Sequence, residues 1–282
     1  VYGGTYRVLT TLFSRLGITV TFVDATIPEN IRAAIRPETK GLFLETPSNP
    51  LLKITDLKAV AEIAREQGII TMVDNTFMTP YLQRPLDLGC DIVLHSGTKF
   101  LNGHTDVICG LAVVKEKELG SRIRFIQNAF GAILGPQDAW LVLRGLKTLK
   151  VRIDESQRTA IAVADWLTRQ ERVKDVYYPG LQAHPGFDVH NRQSSGPGAV
   201  LSFTLDTLDL TRKLLENCKL AAFAVSLGGV ESIISYPAKM SHASMPREER
   251  KARGISDTLV RLSLGLEDSG DMIKELDRLI NG

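Results

Sequence analysis

The 282-residue sequence has few cysteines, and their arrangement suggests neither a covalent nor a metal framework. Its three cysteines, Cys90, Cys109 and Cys218, are far apart, odd in number and form no CxxC pair. Disulfide-rich and zinc-binding classes are therefore excluded, and we expect the thiols to be small buried apolar groups. The five histidines fit no metal-ligand spacing either, so no metal site is predicted.

Long hydrophobic runs and an excess of charge are also missing. No apolar run approaches the roughly 20 residues that a membrane helix needs, and no charged leader precedes an apolar segment. The formal net charge is only +2, and neither a basic stripe nor a helix-turn-helix pattern is visible. We therefore expect a cytoplasmic protein that binds neither membrane nor nucleic acid.

The first half of the sequence alternates short β-rich runs with helical periodicity. The predicted strands are 17–24, 40–46, 69–75, 91–96 and 110–115, and the predicted helices are 30–36, 54–68 and 85–89. Near-continuous apolar strands separated by helices are typical of an α/β fold whose mostly parallel sheet is covered on both faces.

The second half has a different pattern. Between Pro136 and about Gln170, apolar residues recur every three or four positions, which predicts helices that link two domains. Mixed patterning follows, with β-rich runs such as 198–205 and 258–268 and a closing helix at 271–280. We predict a first domain at residues 1–145 and a smaller α+β domain at residues 146–282.

The segment SGTKF, residues 96–100, directly follows the predicted strand DIVLH. Open α/β sheets present ligand-binding groups at the carboxyl ends of their strands. Lys99 is therefore placed to condense with an aldehyde cofactor, and the hydroxyls of Ser96 and Thr98 are placed to bind its phosphate. The alternative is a solvent-facing lysine in a polar turn.

The segment VDNTF places Asp74 at the end of another apolar strand, IITMV. A carboxylate buried there needs a cationic partner, and a protonated pyridine nitrogen is one. An anion at that position keeps the ring nitrogen protonated and makes the cofactor a stronger electron sink. The alternative is a turn-forming Asp-Asn pair.

With ETPSNP, these segments lie at three successive strand ends, and the sequence resembles the Cys/Met-metabolism family of pyridoxal phosphate (PLP) enzymes. This family includes cystathionine β- and γ-lyases, cystathionine γ-synthase and methionine γ-lyase. Further matching segments are YGGT, QDAWLVLRGLKTL, VYYPGL, SLGGVES, SHASM and RLSLGLED. The resemblance implies the PLP-dependent transferase fold of type I, with PLP held as a Schiff base on Lys99.

The resemblance also implies roles for the other site residues. Asp74 becomes the partner of the pyridine nitrogen, Thr76 lies near the ring, and Ser96 and Thr98 contact the phosphate. Tyr2 stacks on the face of the cofactor, with its phenol near the leaving sulfur. Arg261 clamps the substrate α-carboxylate, helped by Asn49 and Ser226, since a planar guanidinium suits bidentate recognition.

Two elements that the family carries ahead of YGGT do not occur in this sequence. One is a Tyr-Ser-Arg segment that reaches the phosphate of a neighbouring subunit, and the other is a Ser-Gly-Met turn at a helix N-terminus. We therefore expect the N-terminal part of the first domain to precede Val1, and the 282 residues alone to be weakly active or inactive. The shared sites imply a homotetramer of catalytic dimers.

Val225 bears on the choice of reaction. Many γ-acting relatives have a glutamate immediately before the serine of SLGG, where this sequence has Val225. The apolar residue favours β-elimination of L-cystathionine to homocysteine, pyruvate and ammonia, as in bacterial cystathionine β-lyases. The alternatives are γ-lyase, γ-synthase or methionine γ-lyase activity, and, from a different class, a non-catalytic sensing module with the same fold.

Overall fold

The computed structural model describes residues 1–243 and 245–282; Ser244, in the SHASM segment, lies outside the described residues. Its first sheet has four strands in the order β1-β2-β3-β4: β1 Gly41–Glu45, β2 Ile70–Asp74, β3 Ile92–Ser96 and β4 Gly110–Val114. The strands β1, β2 and β3 run parallel, and β4 runs antiparallel to β3. The α/β fold predicted from the sequence is confirmed.

Five helices accompany this sheet. They are α1 Gly3–Arg7, α2 Pro28–Ala34, α3 Leu57–Glu66, α4 Thr79–Leu82 and α5 Lys117–Phe130, and α1 continues into a π-helical turn, Val8–Leu12, and a 3₁₀ turn, Phe13–Leu16. The helix α3 is capped at its N-terminus by Asp56, whose carboxylate accepts the N–H of Ala59. Its apolar face, including Val60, packs in one core cluster with Leu44 and Val73 of the sheet.

Three local expectations were wrong. Residues 17–24 form no strand, because this β-branched run pairs with none of the described strands and stays largely exposed. Residues 85–89 form successive tight turns instead of a helix, with bonds such as Leu88 N–H to Pro85 O. The sheet is also not covered throughout, since four of the five residues of β4 are exposed.

The chain continues through two helices, α6 Pro136–Leu146 and α7 Leu149–Leu167. A second sheet follows in the order β5-β6-β9-β8-β7: β5 Val173–Tyr177, β6 Val200–Leu205, β7 Ala222–Phe223, β8 Ile233–Ser235 and β9 Leu259–Ser263. All its pairings are antiparallel except β7 with β8. The remaining helices are α8 Phe187–Gln193, α9 Leu208–Asn217, α10 Arg247–Ala252 and α11 Ser269–Ile280.

The largest core cluster lies between the second sheet and the helices α7, α9 and α11. A separate cluster joins Phe100, just after Lys99, to Ile153 of α7, Val200 of β6 and Leu227. The two halves of the chain therefore share apolar contacts next to Lys99, and the boundary between residues 145 and 146 stays a prediction. No described helix is long and apolar enough to cross a membrane, and the described residues hold no cluster of metal-ligating side chains.

Candidate active site

The carboxyl ends of the parallel strands bring three polar residues to one edge of the first sheet. Glu45, Asp74 and Ser96 are the last residues of β1, β2 and β3. Glu45 lies directly opposite Asp74 in the register of β1 and β2. The sheet thus creates a polar edge at the place where open α/β sheets bind ligands.

Asp74 presents a partly buried carboxylate to this edge. Its Oδ1 accepts the backbone N–H of Thr76 at 3.0 Å. Burial raises the pKa of Asp74, and hydrogen bonds from Thr76 and the charge of the Val1 amino group oppose that change. Within the described part of the chain, no lysine, arginine or histidine side chain compensates this carboxylate. The site therefore suits a cationic group brought by a ligand.

The three hydroxyl residues predicted to lie around the cofactor are at the same edge of the sheet: Thr76, Ser96 and Thr98. The hydroxyl of Thr76 accepts the backbone N–H of Ser96 at 2.8 Å, which ties the end of β3 to the segment after β2. Thr98 bonds to Cys109, with its hydroxyl 3.3 Å from the carbonyl oxygen and 3.0 Å from the N–H. A phosphate contact from Thr98 requires its proton to turn away from Cys109.

Lys99 lies in the turn that follows β3. Its ammonium group donates to the hydroxyl of Ser226 at 2.5 Å. Burial and, second, the charge of Arg261 lower the pKa of Lys99 from 10.5 to about 8. A lysine with this pKa has a substantial neutral fraction near physiological pH, as a nucleophilic amine requires.

Arg261, on β9, is 4% exposed and is held by two acceptors. Its Nη1 donates to Oδ1 of Asn49 at 3.0 Å, and its Nη2 donates to the backbone carbonyl of Ser226 at 2.6 Å. Its Nε is buried with no acceptor among the described residues. Burial lowers the pKa of Arg261 to about 10, against the effect of Tyr2 and Glu45. A free buried donor on a fixed guanidinium suits a carboxylate ligand.

Tyr2 reaches this site through its backbone. Its N–H donates to Oε2 of Glu45 at 2.5 Å, which places it at the end of β1. Its side chain is 49% exposed. The location agrees with a residue that faces the cofactor, while stacking of its ring stays a prediction.

Sequence reasoning missed Glu45 and Arg152. Glu45 accepts the N–H of Asn49 at 2.6 Å, and its pKa is raised by burial and by the neighbouring Asp74. The strand-end rule that selected Asp74 also applies to Glu45.

Arg152, buried on α7, donates to the carbonyl of Phe100 next to Lys99. Its signal is its helical spacing from Ser156, Thr159 and Val163, which all lie on the buried face of α7.

These residues fit pyridoxal phosphate. Lys99 offers an amine with a lowered pKa to the cofactor aldehyde, and Asp74 offers a carboxylate without a side-chain cation to the ring nitrogen. Ser96 ends β3 and Thr98 lies two residues later, so both offer hydroxyls at the strand end. Arg261 keeps Nε, which has no acceptor among the described residues, for a substrate carboxylate. The site thus has a separate group for each charged part of the cofactor and its substrate.

Comparisons with known proteins agree with this geometry. Cystathionine beta-lyase MetC of Bacillus subtilis is 57% identical over 280 residues, which cover 99% of this chain and 72% of that protein. Cystathionine gamma-lyase of the same organism is 50% identical over 99% of this chain and 74% of its own length. The crystal structure of cystathionine gamma-lyase from Lactobacillus plantarum with L-serine superposes with a TM-score of 0.97 at 43% identity, covering 100% of this chain and 74% of that one.

The profile of one enzyme family matches nearly the whole chain, residues 1–281. Together with the relatives above, the match makes this protein an enzyme whose cofactor is pyridoxal phosphate. The chain belongs to the Cys/Met metabolism PLP-dependent enzyme family.

Proposed function

We propose that the protein is a carbon–sulfur lyase that converts L-cystathionine and water to homocysteine, pyruvate and ammonia. The observation that carries the proposal is the hydrogen-bonded chain from Lys99 through Ser226 to Arg261. It places an amine beside a carboxylate-binding guanidinium, as the α-carbon chemistry of an amino acid requires. The 57% identity to a β-lyase supports the choice of bond.

Pyridoxal phosphate supplies an electrophile for the substrate amine and an electron sink at the α-carbon. Lys99 removes the α-proton, because its lowered pKa leaves part of the amine unprotonated near neutral pH. The hydroxyl of Ser226 orients Nζ of Lys99 through their hydrogen bond. The sulfur then leaves from the β-carbon as homocysteine.

Arg261 binds the α-carboxylate of the substrate in this proposal. Its Nε has no acceptor among the described residues, while Asn49 and the carbonyl of Ser226 fix the plane of the guanidinium. A fixed guanidinium loses little conformational entropy on binding. Asn49 and Ser226 thus orient Arg261.

The other proposed roles concern the cofactor itself. Asp74 keeps a proton on the ring nitrogen, and Thr76 holds the carboxylate of Asp74 in place. Ser96 and Thr98 bind the phosphate. Tyr2 covers the ring from the edge of β1, where its backbone bonds to Glu45.

Elimination at the γ-carbon, giving 2-oxobutyrate and cysteine, is the second candidate. The 50% identity to a cystathionine gamma-lyase supports it. Against it, Val225 places an apolar side chain, 66% exposed, directly before Ser226. A carboxylate at that position would engage the distal amino group of the substrate, and valine does not.

A homotetramer built from catalytic dimers is part of the proposal. Large apolar side chains are exposed just before and on β4, on α5 and in the loop after α5. Such patches mark association surfaces. The most exposed are Ile108, Phe125, Phe130 and Ile133. Sedimentation of the full-length protein tests this assembly. The cytoplasmic location stays a prediction.

The deciding experiment adds L-cystathionine to the full-length protein saturated with PLP and identifies the products. Pyruvate with homocysteine supports the proposal, and predominant 2-oxobutyrate with cysteine replaces it with the γ-lyase. The Lys99→Ala variant should lose the visible cofactor band and about 10⁴-fold in activity. Lys150→Ala, at an exposed lysine paired with Asp154, is the matched control and should keep both. A wild-type protein that binds PLP without turnover would favour the sensing module.

A further inference from the structure

Lys99 lies in a hydrogen-bonded turn, residues 97–103, that directly follows β3. Three backbone bonds close the turn, from Lys99 N–H to Ser96 O at 3.2 Å, from Asn102 N–H to Gly97 O at 3.0 Å and from Gly103 N–H to Lys99 O at 2.8 Å. Neighbouring segments also hold the turn, through bonds from Thr98 N–H to Cys109 O at 3.3 Å and from Val230 N–H to Gly103 O at 2.9 Å. A short turn of this kind is not stable in isolation, so contacts from outside help to fix the direction of the Lys99 side chain.

The guanidinium of Arg152 binds the carbonyl end of this turn. Its Nη1 donates to the carbonyl of Phe100 at 2.8 Å, and its Nη2 lies 3.4 Å from the carbonyl of Leu101. The same Nη2 donates to the carbonyl of Gly145 at 2.8 Å, and Nε donates to the hydroxyl of Thr148 at 3.0 Å. These bonds satisfy backbone carbonyl acceptors of the turn that are buried away from water.

Arg152 is 6% exposed. Burial lowers its pKa, and no carboxylate in the described part of the chain opposes that change. Burying an unpaired cation is costly. The stability of α7 does not require a buried charge at this position, because an apolar residue would fill the same space. The polar contacts of Arg152 instead all go to the Lys99 turn and to the α6–α7 junction.

Two glycines show how closely these parts pack. A Cβ atom at Gly103, whose φ is +76°, would overlap the guanidinium of Arg152. A Cβ atom at Gly145 would overlap the carbonyl of Asn102. The turn thus lies directly on the α6–α7 junction with no room for a side chain between them. Movement of Arg152 must be transmitted to the turn.

We infer that Arg152 is a positioning residue, which holds the turn so that Nζ of Lys99 points toward Ser226 and the reacting atoms. The inference rests on the proposed function, in which Lys99 binds the cofactor and moves the α-proton. The segment LRGLKTLKVR, residues 143–152, then supports the turn that carries Lys99, in addition to linking the two halves of the chain.

The test uses Arg152→Gln and Arg152→Lys in the full-length holoenzyme. Arg152→Gln should lower kcat by about 100-fold with KM for L-cystathionine nearly unchanged, since small misplacements of reacting groups cost this much. Arg152→Lys should recover part of kcat, because an ammonium keeps the charge but cannot span the carbonyls of Phe100 and Gly145. Arg158→Gln, at an exposed arginine of the same helix, is the matched control.

A second readout separates positioning from simple stability. In the Arg152 variants, the pH midpoint of the visible cofactor band should move upward, because a loosened turn lets water reach Nζ beside Ser226 and Arg261. Leu167→Ala, in the core at the far end of α7, should lower the melting temperature but leave both kcat and this midpoint unchanged.

Wild-type kcat and midpoint in Arg152→Gln, with a melting temperature lowered as in Leu167→Ala, would overturn the inference and leave Arg152 a structural residue. The proposed function fails in a different way: the wild-type protein would form mainly 2-oxobutyrate with cysteine or would bind PLP without turnover, or Lys99→Ala would keep the cofactor band. The two failures are therefore distinguishable.

Discussion

Lys99 donates to the hydroxyl of Ser226 at 2.5 Å, although 127 residues separate them in the chain. The backbone carbonyl of the same serine accepts a hydrogen bond from Arg261 at 2.6 Å. Ser226 has a φ of +86°, which an L residue adopts only at some cost. This conformation lets one residue contact both the amine and the guanidinium, so its side chain and backbone have separable effects.

Replacing Ser226 by alanine removes the contact with Lys99 and leaves the carbonyl that accepts from Arg261. We expect kcat to fall about tenfold, the effect of one hydrogen bond to a charged group, while KM changes little. Ser226→Gly also lacks the hydroxyl but favours the positive φ. The glycine variant should reproduce the loss of kcat. Steady-state kinetics with L-cystathionine measure kcat and KM for both variants. A glycine variant with wild-type kcat would assign the effect to backbone strain.

Asn49→Ala provides the complementary case. It removes the side-chain acceptor of Arg261 Nη1 and leaves Lys99 and Ser226 in place. We expect KM to rise about tenfold, because the guanidinium that binds the carboxylate loses its orientation. kcat should stay within about threefold of wild type. The opposite pattern, a loss confined to kcat, would argue against a substrate clamp at Arg261.

Asp74→Asn keeps the shape of the side chain and removes its charge. Without the anion, the ring nitrogen loses its proton and the cofactor becomes a weaker electron sink, so we expect kcat to fall about 10²- to 10³-fold. The absorbance spectrum of the holoenzyme should change in parallel. Asp91→Asn is the matched control, because Asp91 accepts two bonds from Thr71 at the opposite end of β2. That variant should lose stability and keep kcat.

The lowered pKa of Lys99 predicts how cofactor binding depends on pH. Only the neutral amine attacks the cofactor aldehyde, so the rate of PLP binding to the apoprotein should rise with pH and level off above about 8. N-acetyl-lysine, measured in parallel, corrects for titration of PLP itself. Arg261→Gln removes one cause of the shift and should move the midpoint upward. A wild-type midpoint near 10.5 would contradict the burial of this amine.

Val225→Glu tests the choice between β- and γ-chemistry. The new carboxylate directly precedes Ser226, where it would engage the distal amino group of cystathionine. We expect the ratio of 2-oxobutyrate to pyruvate to rise about tenfold or more, as for one added ion pair. Val225→Gln, of similar size but uncharged, controls for bulk. Equal product ratios in the two variants would show that charge at this position does not select the bond.

The sequence predicted the elements on which the site depends. Strands β1, β2 and β3 are apolar runs bounded by polar residues, so their ends at Glu45, Asp74 and Ser96 follow from the pattern. The helices α3 and α7 were predicted from apolar residues that recur every three or four positions. Contacts such as Lys99 with Ser226 were not derivable from the pattern, because they join distant segments through tertiary packing.

Failures of sequence reasoning occurred where local pattern and tertiary context disagree. The run 17–24 has the composition of a strand, yet a strand needs a neighbour, and none of the described strands pairs with it. The helix α5 received no prediction, and none of its residues is buried. Arg152 was overlooked because a charged residue in an amphipathic helix is usually solvent-facing.

The register that pairs Glu45 with Asp74 places two acidic groups side by side at the sheet edge, and Asp74 raises the pKa of Glu45. A protonated ring nitrogen at Asp74 would act as the counter-ion of this pair as well as a reagent. Cofactor loading and folding of the sheet then become one linked equilibrium. A cell short of the cofactor would lose folded protein, and not merely turnover.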